Sequence, residues 1–581
     1  MQMRIPSACR DGCFCPAWPC TVTLNPAIAR SILRGLSLDG KSRFRLTWLS
    51  ATGGAVTLLL ILPIVVVLAS VFQSSGDTWA HLASTVLPAY VLNTLLLAIG
   101  VALIVSTAGT TAAWLTTMCR FPGSRMFEWA MILPMAMPAY IIAYAYTDFL
   151  QVSGPVQAWI RELTGLRPRQ YWFPEIRSLG GAAVMMGLVF YPYVYLLARA
   201  AFLEQSRSMH EAGRVLGLGP WRAFFRIGLP LARPAIVAGT ALALMETLAD
   251  FGTVSYFSVQ TFTTGIYRAW LSLGDRTAAA QLSASLLGFV ALILLIERSS
   301  RRRAKFHNTS IRRDAPRLRL RGAPAAIAWV ACAIPVLLGF VVPALLLGRL
   351  AAGADLPHLG ERFYTLVFNS CSLAAATALL AVALALVMAY AGRLYPGPLP
   401  DLANRIAGLG YAVPGAVIAI GILVPVARFD NLVDAWMRDH FGIATGLLLT
   451  GGVTALVYAY LVRFLASALQ TVEAGLSRIT PSMDEAARSL GLRPVETLQR
   501  VHAPLMWGSL LTAAMLVFVD VMKELPATFV MRPFNFDTLA VQAYNLASDE
   551  RLAEASAPAL AIVAVSLVPL ILLSRRIAAG R

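Results

Sequence analysis

Apolar residues in this chain come in long runs separated by short polar stretches, without the two-residue alternation of half-buried strands. "WLSATGGAVTLLLILPIVVVLASVF" (48–72) and "TLVFNSCSLAAATALLAVALALVMAYAG" (365–392) show the pattern. About 20 residues at ~1.5 Å each cross a hydrocarbon core of about 30 Å. Only helices or closed barrels satisfy every backbone hydrogen bond there, and a barrel strand would alternate. The pattern therefore predicts an all-α polytopic membrane protein. Twelve spans are expected, near 48–72, 89–116, 128–150, 179–203, 235–257, 278–297, 323–349, 365–391, 404–427, 443–469, 507–531 and 555–574.

Composition sharpens this picture. Of 581 residues, 58% are hydrophobic and 13% charged, against roughly 45–50% and 25% in soluble domains. The 48 Lys and Arg residues outnumber 30 acids, for a net charge of +18. If the N-terminus is cytoplasmic, the inside segments hold most of the basic residues, ten of them between Arg298 and Arg321. Cytoplasmic loops carry that excess, so the span count and orientation support each other, with both termini inside. The basic stretch then reads as a topology-setting linker beside anionic lipid, and the positive charge requires no nucleic acid.

Two local patterns invite other chemistry. "GLSLDGKS" (35–42) fits the phosphate-loop pattern G-x-x-x-x-G-K-[ST]. That loop works only between a buried strand and a helix N-terminus. Here it follows "NPAIARSILR" and runs straight into the first span, so the match is accidental. Cys9, Cys13, Cys15 and Cys20 crowd the start of the chain, but their spacing fits no usual zinc or iron–sulfur set. A cytoplasmic leader over 1–47, disordered and with reduced thiols, is expected, and a metal role stays unassigned.

The strongest signal is an internal repeat. "SMHEAGRVLGLGPWRAFFRIGLP" (208–230) and "SMDEAARSLGLRPVETLQRVHAP" (482–504) share eleven positions at a constant offset of 274. Asn93 and Asn369 each open a span, and Pro138 matches Pro414. Two halves are expected, 48–297 and 323–581, joined by the linker 298–322. Six spans each would orient both halves alike, with a central path between them. The repeated loop reads as two short helices. Ser208 and Glu211, or Ser482 and Glu485, suggest a capping box. Gly217 or Gly491 can end the first helix in the left-handed conformation, and Pro220 or Pro494 suits the start of the next. Ala212, Val215 and Leu216, or Ala486 and Leu490, would form a small apolar face for a cytoplasmic partner.

This loop resembles the "EAA" motif of binding-protein-dependent ABC importer permeases, E-A-A-x₃-G-x₉-[IV]-x-[LA]-P. Glu211, Ala212, Gly213, Gly217, Ile227, Leu229 and Pro230 carry it first, then Glu485, Ala486, Ala487, Gly491, Val501, Ala503 and Pro504. Gly213 departs from the second alanine, and His502-Ala503 departs before the final proline. The resemblance implies a type I permease fold in a bacterial cytoplasmic (inner) membrane. It implies no catalysis and no cofactor in this chain, with ATP and magnesium on a partner ATPase, expected as a homodimer on these loops. A solute-binding protein is expected on the outer face. "LMETLADFGTVSYFSVQTFTTGIYRAWLSLGD" is similar to the ferric-iron permeases, which implies ferric iron as solute. Thiamine, phosphonate or sulfate is the alternative, and an ion-coupled secondary transporter a further one.

Glu246, Asp250, Asp520, Lys523 and Glu524 fall inside predicted spans. Charges at membrane depth face a bundle interior or a water path, so these residues either line the translocation path or hold the halves together. Lys523 is expected to pair with Asp520, one turn back. Tyr144, Tyr146, Tyr191, Tyr193 and Tyr195 are expected in the interfacial aromatic belt.

Overall fold

In a computed structural model of the chain, the described residues are 3–4, 21–22, 48–74, 77–168, 170–204, 219–302, 317–353 and 360–579. Residues 52–581 form one compact unit, and in the leader Met3–Arg4 pairs antiparallel with Thr21–Val22. Among the described residues ten helices are long and apolar enough to cross a membrane, and two further spans are bent helix pairs. The twelve-span, all-helical prediction agrees with this count.

The repeat is visible in the backbone. Leu87–Met118 and Gly360–Leu394 carry the matched asparagines, Asn93 and Asn369, within their first three turns. Asn93 donates through Nδ2 to the Gln260 carbonyl (2.9 Å), and Asn369 donates likewise to that of Asp537 (3.1 Å). Pro138 and Pro414 hold nearly the same extended conformation (φ −61°, ψ 143°; φ −58°, ψ 141°) immediately before a helix. A π turn precedes the motif proline in both halves, at Phe224–Gly228 and Leu498–His502. Proline cannot donate the next helical bond, so the backbone widens there.

The third, ninth and tenth spans depart from their predicted course. The third bends by 90° between Ser124–Ala136 and Ala139–Thr164, where Pro138 interrupts the ladder. The ninth runs Gly415–Phe441 rather than 404–427: Pro414 delays its start, and the polar stretch after residue 427 stays helical. Asp430, fully buried on that stretch, accepts from the Leu449 and Thr450 amides. The tenth consequently begins only at Val453, after the turn glycines.

The opening span of each half reaches across to the other half. Pro63 lacks an N–H, so the Leu59 carbonyl one turn back has no helical partner, and the Tyr458 hydroxyl donates to it. Gly421 permits this approach, since a Cβ there would lie 2.4 Å from the Pro63 carbonyl oxygen. Reciprocally, Tyr146 donates to the Leu338 carbonyl (2.7 Å) within the π turn Leu337–Val341, just before Pro343. Nearby, the linker's far end pairs Leu318–Arg319 in parallel with Cys119–Arg120, and Arg317 meets Glu128 at 3.1 Å.

Candidate functional site

The fifth and eleventh spans both stop short of their predicted ends. Leu229–Ala249 breaks at Asp250 and resumes as Gly252–Tyr256, while Trp507–Met522 breaks at Lys523 and resumes as Pro526–Met531. An acid caps each new helix start. Asp250 accepts from the Thr253 amide (2.9 Å), the Thr253 hydroxyl (3.0 Å) and the Val254 amide (3.3 Å). Glu524 accepts from the Ala527 amide (3.0 Å). Free amides at a helix N-terminus stabilise a carboxylate, so the breaks can hold charge within the bilayer.

Between these breaks lies a small cavity of about 70 Å³, lined by all five sequence-predicted charges. Two of its walls are matched by the repeat. Glu246 corresponds to Asp520 and Asp250 to Glu524, each at the repeat offset of 274. The cations are not matched. Lys523 stands where the first half has Ala249, and Arg463 comes from the second-half helix Val453–Leu476, with no first-half cation in the lining. Lys523 pairs with Asp520 at 2.9 Å, as its helical spacing suggests. Arg463 spans the halves, 2.8 Å from Glu524 and 3.3 Å from Glu246. Sequence reading missed Arg463, although a lone arginine inside the apolar run 453–476 was a usable signal.

The tyrosines belong to the interior and not to an interfacial belt. Tyr144, Tyr146, Tyr191 and Tyr195 are all buried, and Tyr193 meets Tyr411 across the halves at 3.3 Å between hydroxyls. Apolar character alone does not distinguish a lipid-facing tyrosine from one packed between helices. Aromatic packing completes this interface. Phe251, at the first break, stacks on Tyr267 (3.7 Å between centroids) and touches Phe529 and Tyr544 of the second half.

The second copy of the repeated loop is a helix, Pro481–Ser489, followed by a tight turn. Gly491 adopts the left-handed conformation (φ +81°). The Leu492 amide returns to Ala487 (3.1 Å) and the Gly491 amide to Arg488 (3.0 Å), closing the helix as a Schellman turn. Pro494 opens the next helix as expected. The anticipated Ser482–Glu485 capping box does not form. Pro481, with fixed φ and no N–H, takes the first helical position and makes Thr480 the cap residue. Half of such a box forms instead at Arg493, whose amide donates to the Glu496 carboxylate (2.9 Å), while the guanidinium has no acceptor to return the bond. Ala486, Met483 and Leu490 face outward while Ala487 is buried, leaving an exposed apolar face.

A charged anchor holds this helix to the membrane body. Asp484 accepts from Arg393 Nε (2.9 Å) and sits 2.6 Å from His502 Nε2. Arg393 also donates to the carbonyls of Leu476 (2.8 Å) and Ile479 (2.9 Å). The motif departure at His502 thus has a local partner; the first copy carries His210 and Gly228 at these two positions. Glu211, Ala212, Gly213 and Gly217 of that first copy lie outside the described residues, as do Gly35–Ser42 and the four N-terminal cysteines.

A family model for the inner membrane component of binding-protein-dependent transport systems matches residues 106–305 and again 381–579. This chain belongs to that family. Both matches include a repeated loop and a broken helix, so the permease contains two family domains in one polypeptide. It is 28% identical over 488 residues to an Fe(3+)-transport system permease protein of Haemophilus influenzae, covering 83% of this chain and 89% of that one. A ferric transport system permease of Actinobacillus pleuropneumoniae is 24% identical over 524 residues, or 84% and 71% of the two chains. The molybdenum transport system permease of Escherichia coli is 31% identical over 205 residues, 85% of its own length but 33% of this permease. Membership makes the permease a transport component of an inner membrane, working in general with an ATPase and a solute-binding protein.

Proposed function

We propose that the permease imports ferric iron. In this reading a solute-binding protein delivers the ion to the outer face, and a separate ATPase, as a homodimer, engages the repeated loops. Both termini are cytoplasmic, which puts the exposed face of Pro481–Ser489 on the ATPase side. ATP and magnesium belong to that partner. Glu211, Ala212, Gly213, Gly217 and Pro230 belong to one coupling loop, and Glu485, Ala486, Ala487, Gly491 and Pro504 to the other, where Ala487 is buried and seats the loop while its neighbours face the partner. The observation carrying the iron reading is extent: the ferric permeases match both halves, whereas the molybdenum permease matches one.

Glu246, Asp250, Asp520, Lys523 and Glu524 line the path in this reading. Oxygen donors suit a small, highly charged cation, and the cavity between the breaks is lined by carboxylates without a cysteine or histidine. The test is uptake of radioactive iron by the reconstituted transporter, normalised to assembled complex. Asp250→Asn with Glu524→Gln should cut uptake more than ATP hydrolysis. Transport of thiamine, phosphonate or sulfate without iron uptake would overturn the substrate assignment. Uptake driven by an ion gradient without any ATPase would overturn the mechanism.

A further inference from the structure

The cavity between the broken helices is acidic by symmetry and basic by exception. Its four carboxylates recur in both halves, but both cations come from the second half alone. Arg463 is nearly fully buried and divides its guanidinium between the halves, through Glu524 (2.8 Å) and Glu246 (3.3 Å). Its Nε donates to nothing, so this buried cation is incompletely satisfied. Tyr140 lines the same cavity, is 4% exposed, and its hydroxyl has no hydrogen-bond partner. A buried polar group without a partner is uncommon and calls for an explanation.

We propose that Arg463 is a tethered counter-ion occupying a transient binding site for a hard multivalent metal cation, with Glu246, Glu524 and the Tyr140 hydroxyl as ligands. This rests on the reading of the cavity as the path. Only a group that engages two carboxylates at once can stand in for a multivalent ion, and a guanidinium does so where an ammonium would serve one. While Arg463 sits between them, no three acidic, histidine or cysteine groups among the described residues converge on a metal position. Withdrawal of the guanidinium frees Glu246 and one oxygen of Glu524. Asp250 stays out of the set because both its oxygens already cap the helix at Gly252. Gly415 keeps the room: a Cβ there would lie 2.5 Å from Glu524 Oε1 and 3.1 Å from an Arg463 nitrogen. A cavity of about 70 Å³ admits an ion with one or two waters, at about 30 Å³ of liquid volume each. The consequence is a site that binds weakly at rest and gains affinity only when the halves move apart.

Terbium(III) is a suitable probe, being hard, trivalent and luminescent when a nearby tyrosine sensitises it. The permease is titrated as the purified complex with its ATPase. Arg463→Gln should bind one terbium ion per chain at least about tenfold more tightly than wild type, a shift of about 1.4 kcal/mol. Adding Glu246→Gln should abolish the gain, and Arg463→Lys, which engages one carboxylate, should fall between wild type and Arg463→Gln. Tyr140→Phe removes a hydroxyl that bonds to nothing in the resting protein, so it should assemble normally. It should still weaken terbium binding at least threefold. Unchanged affinity in both Arg463→Gln and Tyr140→Phe, or a gain that survives Glu246→Gln, overturns the assignment. Iron uptake by the wild type, reconstituted into vesicles and supplied with its binding protein, separates the two levels: uptake with unchanged terbium affinities sinks this site alone, whereas absent uptake sinks the ferric-iron reading beneath it.

Discussion

Replacing Asp484 with alanine should loosen the helix Pro481–Ser489 without disturbing the membrane body. The carboxylate accepts from Arg393 and faces His502, and both partners sit on elements that stay packed without it. A hydrogen bond to a charged group contributes about 1.5–3 kcal/mol. Arg393 keeps its bonds to the Leu476 and Ile479 carbonyls, which offsets part of the loss. The Asp484 side chain is 21% exposed, so water recovers a further part. A net loss of about 2 kcal/mol is reasonable, which raises the undocked population roughly 30-fold. Hydrogen exchange of the amides of 481–492 should accelerate by about that factor, while those of 453–472 should not change. ATP hydrolysis by the assembled transporter should become less dependent on solute delivery. Asp484→Asn, which retains one acceptor, should fall between. Unaltered exchange in Asp484→Ala would show that the anchor contributes nothing and that the buried Ala487 alone seats the helix.

Gly491→Glu should leave the chain folded, because the space around this glycine is open, yet strain a backbone at φ +81° by about 1–2 kcal/mol; recovery of the ATPase with the affinity-purified permease should fall, and normal recovery with normal uptake would refute a docking role. Tyr458→Phe should lower the thermal stability of the detergent-solubilised permease by the equivalent of about 1 kcal/mol, because the carbonyl freed by Pro63 loses its donor. An unchanged melting temperature would mean that the bond adds nothing to the crossing of the first span. Lys41→Ala should leave ATP turnover of the assembled transporter unaltered, and loss of turnover on that substitution would restore the phosphate-loop reading of 35–42.

Run length and charge distribution by themselves set the number of spans, because a bilayer of fixed thickness and a charge-sensitive insertion process leave few alternatives. The repeat set the pairing of the halves, and Gly491 and Pro494 declared their turn because few other residues tolerate those conformations. Proline and charge misled locally: Pro138 broke a span that hydropathy joined, and Phe441 ended one that hydropathy cut at residue 427. What the tertiary structure decided was partnership across long sequence separations. No local pattern says that Tyr458 reaches the first span, that His502 is answered by Asp484, or that the interior tyrosines avoid the lipid interface. Arg463 makes the point most sharply. Its cost within the bilayer is legible from its type and neighbours, but the acids that offset the cost lie 217 positions upstream and 61 downstream. Hydropathy depends on each residue's own transfer energy, whereas an ion pair depends on two positions that only the packing of both halves brings together.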